Sequence, residues 1–217
     1  MKSNYNDIID IILTLVNDDE IRDYAVVSGS IVPYLICSKE SKEFHSDLYI
    51  LISEKHMDKI RKRMKQLSKE YLFDIINDSR SYSKEDYGFK LKYEDTYVGV
   101  FPYSFKENIF KIKTYSINKQ GDMISLKTKT ISDITRGSII RQISFSNDNV
   151  ISMMSPEYVL IDKKLREKQQ HNPTKETMDL LNKISDESIL KVLNKSMVNM
   201  HVDIKQNKIR RIMSLFK

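Results

Sequence analysis

The sequence predicts an α/β fold of the α+β type, in which a mixed sheet with flanking helices is followed by a C-terminal helical bundle. Short apolar runs bounded by turn residues alternate with helical patterns over residues 1–154. Helical periodicity with strong start signals then fills residues 155–217. We therefore expect two domains, an α/β domain at 1–154 and a helical domain at 155–217, which pack directly on each other.

The first domain is expected to begin with a helix over residues 6–16 and a short buried strand over 24–27. Gly29 breaks this strand, and Ser30 is expected to cap a helix that ends near Cys37. A helix is expected at 54–69. Strands are expected at 48–52, 71–76, 88–93, 96–101, 109–116, 123–131, 139–145 and 150–154. The polar stretches 38–45 and 77–86 are expected to be loops, and the turn Phe101-Pro102-Tyr103 to end the sheet.

The second domain opens on Ser155-Pro156-Glu157, which is a strong helix start. Serine is a favourable N-cap, proline fits the first turn, and glutamate suits the positive end of the helix. Helices are predicted at 155–170, 175–184, 186–198 and 204–216.

Composition limits the location and the partners of the chain. The single cysteine, Cys37, excludes an intramolecular disulfide and fits a reducing compartment. The chain shows no secretion signal and no apolar run that could span a bilayer, so we expect a cytoplasmic protein that does not bind membranes. The net charge of +6 tolerates a polyanionic partner. Two basic runs, at 59–65 and 205–211, are either solvated helix faces or an RNA-binding surface.

A turn that could hold a phosphate lies between the first strand and the second helix. Its residues are Ser28, Gly29 and Ser30. The glycine lets an anion approach the backbone, and exposed N–H groups at the start of a helix attract it. The same three residues also suit an ordinary turn with a serine cap. The next strand begins at Asp47, a carboxylate that could instead accept N–H bonds from the loop.

This turn is followed in order by a helix, a polar loop that ends at Asp47 and a second strand. The order resembles that of the nucleotidyltransferase-fold superfamily, and of one branch of bacterial nucleotidyltransferase-like proteins in particular. The run from Val98 to Tyr103, and Glu157 followed by Lys163, add to this resemblance. The resemblance implies that residues 28–30 and Lys163 bind the phosphates of a nucleoside triphosphate. It also implies that Asp47 is catalytic and binds Mg2+. The acceptor would be a hydroxyl on a small molecule such as an antibiotic, on RNA or on a protein.

The acidic pattern of that family is incomplete in this chain. The family places a second carboxylate two residues after the first, where this chain has Tyr49, and a third near Gly99. Two metal ions need several carboxylates held close together. Three interpretations stay open: an inactive member, a protein that binds nucleotide, RNA or protein without transfer, or a site rebuilt from other carboxylates. Candidates for the last are Asp74, Glu94 and Asp95.

Overall fold

The computed structural model describes residues 5–39, 47–117, 123–144, 150–167 and 174–206. The helices are α1 (Tyr5–Asn17), α2 (Ile31–Cys37), α3 (Met57–Glu70), α4 (Arg136–Ile139), α5 (Pro156–Glu167), α6 (Lys175–Ile184) and α7 (Glu187–Val198). The strands are β1 (Ala25–Gly29), β2 (Leu48–Ser53), β3 (Asp74–Ile76), β4 (Phe89–Tyr93), β5 (Thr96–Lys106), β6 (Ile109–Ile117), β7 (Met123–Ile131), β8 (Ile140–Ser144), β9 (Val150–Met154) and β10 (His201–Gln206). Across these ranges no helix is both long and apolar enough to cross a membrane.

Several sequence predictions fall outside the described residues. They are most of the loop predicted at 38–45, the end of the strand predicted at 139–145, the helix end at 168–170, and the part of the last predicted helix and basic run from 207 onward.

The strands form one mixed sheet in the order β10-β7-β6-β5-β2-β1-β9-β8, with β3 and β4 branching from β5. At its centre β2 runs antiparallel to β1 and parallel to β5. Both central strands are apolar on both faces, with Val27, Ile50 and Ile52 fully buried, because helices and further strands cover them. The mixed sheet with flanking helices is therefore as predicted.

The prediction that the sheet ends at Phe101-Pro102-Tyr103 is wrong, because β5 continues to Lys106. Strand β5 pairs with β4 through its residues up to Val100 and with β6 through its residues from Tyr103 onward. Pro102 lies between these two antiparallel ladders, so its missing N–H interrupts neither of them. The proline therefore marks a change of partner and does not end the strand.

The helix predicted at 204–216 is wrong over its first residues, which belong to β10. This strand runs antiparallel to β7 from the pair His201–Thr130 to the pair Gln206–Ser125. Val202 and Ile204 alternate with polar residues over this short stretch, which is a strand period. The helical domain is thus followed by a strand that returns to the sheet.

One hydrophobic core joins the two predicted domains. It contains Val27 and Ile50 from the central strands together with Leu160, Leu181 and Leu193 from α5, α6 and α7. The division at 154/155 stays a prediction.

The start of α5 is fixed by a buried acidic residue. Glu157 is fully buried, and its Oε1 accepts from Arg141 Nη2 at 2.8 Å and from the backbone N–H of Asp186 at 2.7 Å. The Oγ of Ser155 accepts from the backbone N–H of Tyr158 at 3.2 Å, as a capping serine does. These bonds tie α5 to β8 and to the start of α7, and so orient the helix that carries Lys163.

Candidate functional site

The turn at 28–30 brings the end of β1 against the start of β2. Gly29 has a φ of +90°, and a Cβ at this position would overlap the carbonyl oxygen of Asp47. The backbone N–H of Ser30 donates to that same oxygen at 3.1 Å. A glycine is needed because larger residues avoid this φ and no space exists for a side chain. The structure therefore brings the predicted turn and the predicted carboxylate together.

Lys163 joins them from α5. Its Nζ donates to Ser30 Oγ at 2.7 Å and to Asp47 Oδ2 at 2.8 Å. The hydroxyl of Ser30 in turn donates to Asp47 Oδ1 in a short hydrogen bond. Lys163 is only 5% exposed, so its charge needs this partner. Both oxygens of the carboxylate are thus engaged, one by a hydroxyl and one by an ammonium.

Ser30 does not cap α2 with its side chain, contrary to the sequence prediction. Its Oγ accepts from Lys163 Nζ instead of from a backbone N–H of the helix, and a charged donor forms the stronger hydrogen bond. The residue still marks the start of the helix.

Tyr49 and Gly99, at the second and third positions of the acidic pattern, are cross-strand neighbours. The register pairs Ser28 with Tyr49, Tyr49 with Gly99, and Gly99 with Lys90. A Cβ at Gly99 would overlap the ring of Phe101 and lie 3.0 Å from Cδ1 of Tyr49. Aromatic rings therefore fill the space that a third carboxylate would need.

The donors present in the cleft do not fit Mg2+. The carboxylate of Asp47 is already paired with Lys163. Burial raises the pKa of Tyr49, so the phenol is neutral at physiological pH, and a neutral phenol is a poor ligand for a hard cation. Within the described ranges no group of three or more His, Cys, Asp or Glu side chains could hold a metal. The described residues of the cleft therefore offer Mg2+ no suitable set of ligands.

The three alternative carboxylates do not reach the cleft. Asp74 is the first residue of β3 and pairs with Lys92. Glu94 and Asp95 form the tight turn between β4 and β5, as the sequence predicts, and Glu94 has a φ of +48°. None of the three lines the cleft, so the described part of the chain does not support a site rebuilt from them.

A second acidic residue, which the sequence analysis did not single out, holds the other wall of the cleft. Asp162 accepts from Lys129 Nζ at 2.9 Å and pairs with Arg166 Nη2 at 2.6 Å. Burial alone would raise the pKa of Asp162, but the charges of Arg166 and Lys129 outweigh it and hold this pKa below its usual value. Arg166 also donates to the hydroxyl of Tyr49 at 3.1 Å. This network links α5 to β7 and β2.

These groups surround a cleft of about 330 Å³ between the sheet and α5. Its charged lining consists of the cations Lys90, Lys127, Lys129, Lys163 and Arg166 and the carboxylates Asp47 and Asp162. The described lining therefore carries a net charge of +3. Because low-dielectric walls focus such a potential, the cleft should attract anions.

The basic run at 59–65, the other predicted polyanion surface, is largely neutralised by the fold. Arg61 makes two hydrogen bonds of 2.8 Å to the carboxylate of Asp86, and Arg63 Nη2 lies 2.7 Å from Asp18 Oδ2. In the second basic run, Lys205 contacts Glu85 at 3.1 Å, and its other members lie outside the described residues. The arginines of α3 therefore hold neighbouring segments in place.

Comparison with protein-family models and with curated protein sequences gives no match. Among solved structures, the chain is similar to the solution structure of the antibiotic-resistance factor ANT(2'')-Ia. The TM-score is 0.54 at 14% sequence identity, over 90% of this chain and 93% of that chain. It is also similar to the crystal structure of ANT(2'')-Ia in complex with adenylyl-2''-tobramycin. The TM-score there is 0.53 at 13% identity, over 88% and 96% of the two chains.

These similarities extend over nearly the whole length of both proteins. They confirm the predicted nucleotidyltransferase-like fold. At 13–14% identity the similarity concerns the fold and does not transfer an activity.

Proposed function

We propose that the chain binds a nucleoside triphosphate in the cleft without a metal ion, and that it is a binding member of the nucleotidyltransferase fold. The phosphates would lie at the 28–30 turn beside Lys163. The observation that carries this proposal is the position of Lys163 Nζ, which lies between Ser30 and Asp47 at 2.7 and 2.8 Å. The ammonium of Lys163 thus pairs with the carboxylate that, according to the resemblance, would bind Mg2+.

The cations of the cleft supply the positive charge that a triphosphate needs. A lysine ammonium has three N–H donors, and the described contacts of Lys163 use two of them. The third is available to a phosphate oxygen. The net charge of +3 on the lining reinforces this attraction over the whole cleft.

Transfer chemistry has less support in this arrangement. A hydroxyl acceptor needs a base to receive its proton, and Gly99 stands where the resemblance places that base. The remaining carboxylate, Asp47, is paired with Lys163 and Ser30. Among the described residues, the cleft thus offers cations to a phosphate and no unpaired carboxylate that could activate an acceptor.

The substitution Asp47→Asn tests this proposal most sharply. In a metal-dependent transferase it removes a metal ligand, and nucleotide binding should collapse. In the proposed binding protein it removes a negative charge near the phosphates and frees Lys163. We therefore expect ATP affinity to stay equal or to rise, as measured by isothermal titration calorimetry.

The same titration with Mg2+ and with EDTA should give affinities that agree within about threefold, or about 0.7 kcal/mol. Lys163→Met should weaken ATP binding about tenfold or more, since a hydrogen bond to a charged group contributes about 1.5–3 kcal/mol. Lys62→Met on the exposed face of α3 is the matched control, because it removes one charge far from the cleft. The proposal fails if binding requires Mg2+ or if Asp47→Asn abolishes it.

The alternative function is nucleotide transfer to a hydroxyl, with Asp47 as the catalytic residue. The fold supports it, and the structure with adenylyl-2''-tobramycin shows that ANT(2'')-Ia holds such a product. Incubation with labelled ATP, Mg2+ and tobramycin, RNA or protein acceptors tests it directly. Label on any acceptor that disappears in Asp47→Asn would establish transfer. An RNA partner has weaker support, since the arginines of α3 are paired within the protein.

A further inference from the structure

Lys90, Thr114, Ser116 and Lys127 line the cleft together from strands β4, β6 and β7 and are called the outer subsite. Thr114 of β6 lies directly opposite Lys127 of β7 in the antiparallel register. Thr114 and Ser116 are two residues apart on β6 and so share one face. Lys90 of β4 reaches the same cleft from beside Gly99.

The cations of the outer subsite are not compensated by acids. Every other cation of the cleft has a carboxylate partner: Lys163 has Asp47, whereas Lys129 and Arg166 share Asp162. Among the described residues, Lys90 and Lys127 form no ion pair. Two of the three surplus charges of the cleft therefore reside in these two lysines, and the third belongs to Lys129 and Arg166, which share one carboxylate.

Half-buried lysines without a partner are unfavourable in a folded protein unless a ligand uses them. Burial lowers the pKa of Lys90, as expected where the charged form has lost water and gained no anion. The centroid of the Tyr97 ring lies 6.0 Å from the Nζ of Lys90, which is at the limit of a cation–π contact. An anion in the outer subsite would satisfy both lysines and accept from the hydroxyl of Thr114, whereas the hydroxyl of Ser116 already has a partner in Ser125 Oγ at 2.9 Å.

The same charges argue against a cationic ligand. Tobramycin is an aminoglycoside, and its amino groups are protonated near neutral pH. The described lining of this cleft is positive on balance and offers no free carboxylate to an ammonium. Like charges across an interface suppress the wrong partner. The similarity to ANT(2'')-Ia in fold is therefore not matched by a cleft suited to its ligand.

We infer that the outer subsite binds a second phosphate-bearing group, separate from the nucleotide phosphates at the 28–30 turn, and that it rejects aminoglycosides. The two positions lie in one cleft, so the inference depends on the proposed function only for where the nucleotide sits. Two sources share this chemistry: a free inorganic phosphate compound, or a phosphorylated end of a larger molecule.

The test uses inorganic pyrophosphate as the probe in the full-length protein saturated with ATP, measured by isothermal titration calorimetry. The double variant Lys90→Gln/Lys127→Gln should raise the pyrophosphate Kd about tenfold or more, because two donors to a charged ligand are lost. Lys90→Arg/Lys127→Arg keeps both charges and should largely restore binding. The variant Lys62→Gln/Lys65→Gln, which removes two exposed charges from α3, should leave the pyrophosphate Kd unchanged.

The outcomes separate this inference from the proposed function. Lys163→Met should weaken the binding of ATP and leave the binding of pyrophosphate in the outer subsite unchanged. If pyrophosphate binds only to the ATP-free protein and competes with ATP, there is one shared site and the inference is overturned. It is also overturned if the glutamine variant binds as the wild type does, or if tobramycin binds as tightly as pyrophosphate. A comparison of pyrophosphate with a 5'-phosphorylated oligonucleotide then distinguishes the free from the attached source.

Discussion

Two basic regions of the described structure, helix α3 and the cleft, differ in how their charges are paired. On α3, Arg61 and Arg63 each have carboxylate partners, among them Asp86 and Asp18. In the cleft, Lys90 and Lys127 have none among the described residues, although both are partly buried. The run on α3 is denser in the sequence, but its lysines without an ion pair in the described part of the chain, Lys62 and Lys65, are exposed, whereas the unpaired lysines of the cleft are partly buried. Pairing, and not the density of basic residues, separates charge that supports the fold from charge that is available to a ligand.

The largest expected effect comes from breaking the paired wall of the cleft with Asp162→Asn. Removal of one partner of a buried charge network leaves Lys129 and Arg166 without their anion and should destabilise the protein by about 3–5 kcal/mol at neutral pH. Denaturant unfolding measures the loss. The dependence of the unfolding free energy on pH in the acid range is a second measurement, because Asp162 has a lowered pKa in the folded protein.

The sign of that pH dependence is fixed by linkage. A carboxylate whose folded pKa is depressed stabilises the protein above its unfolded pKa, about 3.9 for Asp, and this contribution is lost as pH falls below that value. The difference between wild type and Asp162→Asn should therefore shrink below about pH 4. A difference that stays constant down to pH 2 would show that Asp162 does not titrate in this way.

The next effect tests the turn that holds the inner cleft. Gly29→Ala places a Cβ against the Asp47 carbonyl at a positive φ, and we expect a loss of about 3 kcal/mol from strain and overlap, together with a loss of ATP binding. Gly137→Ala is the matched control, because nothing lies within 4 Å of a Cβ there, and it should be neutral or slightly stabilising. Equal effects of the two changes would refute the role of the turn.

Which residues of this site could be predicted from the sequence depends on whether each belongs to a local sequence pattern. The 28–30 turn, Asp47 and Lys163 were found because a Gly-Ser turn and a strand entrance are local patterns, and the resemblance supplied the distant lysine. Their convergence agrees with that expectation, while their roles in binding stay predictions.

The rest of the cleft was missed because it is assembled by sheet register. Lys90, Lys127 and Lys129 read as ordinary alternating polar residues of strands, and nothing local shows which strand faces become neighbours. Asp162 and Arg166 lie on α5, and no local pattern shows that they face the cleft. The strand at 201–206 was missed because its apolar alternation is short and residues 204–216 were predicted to form a helix.

A smaller effect tests the opposite side of the comparison, where charge supports the fold. Asp86 accepts two hydrogen bonds from Arg61 and one from the backbone N–H of Gly88, all at 2.8 Å. Asp86→Asn should cost about 2–3 kcal/mol of stability, since hydrogen bonds to a charged group are weakened or lost at a partly exposed site. ATP affinity of the folded protein should remain unchanged in calorimetry. A selective loss of ATP binding would mean that this cluster belongs to the functional site.

The smallest expected effect decides whether charge density alone attracts ligands. Lys62 and Lys65 lie on the exposed face of α3, outside the cleft. Their joint substitution by glutamine should change the Kd of ATP and of pyrophosphate by less than about twofold at 0.15 M salt, because charges beyond a Debye length of about 8 Å are screened. At low salt we expect this variant to bind all anions somewhat more weakly than the wild type does, since long-range attraction then contributes. If this change weakened binding as much as Lys90→Gln/Lys127→Gln does, net charge would govern anion binding and the unpaired lysines of the cleft would have no special role.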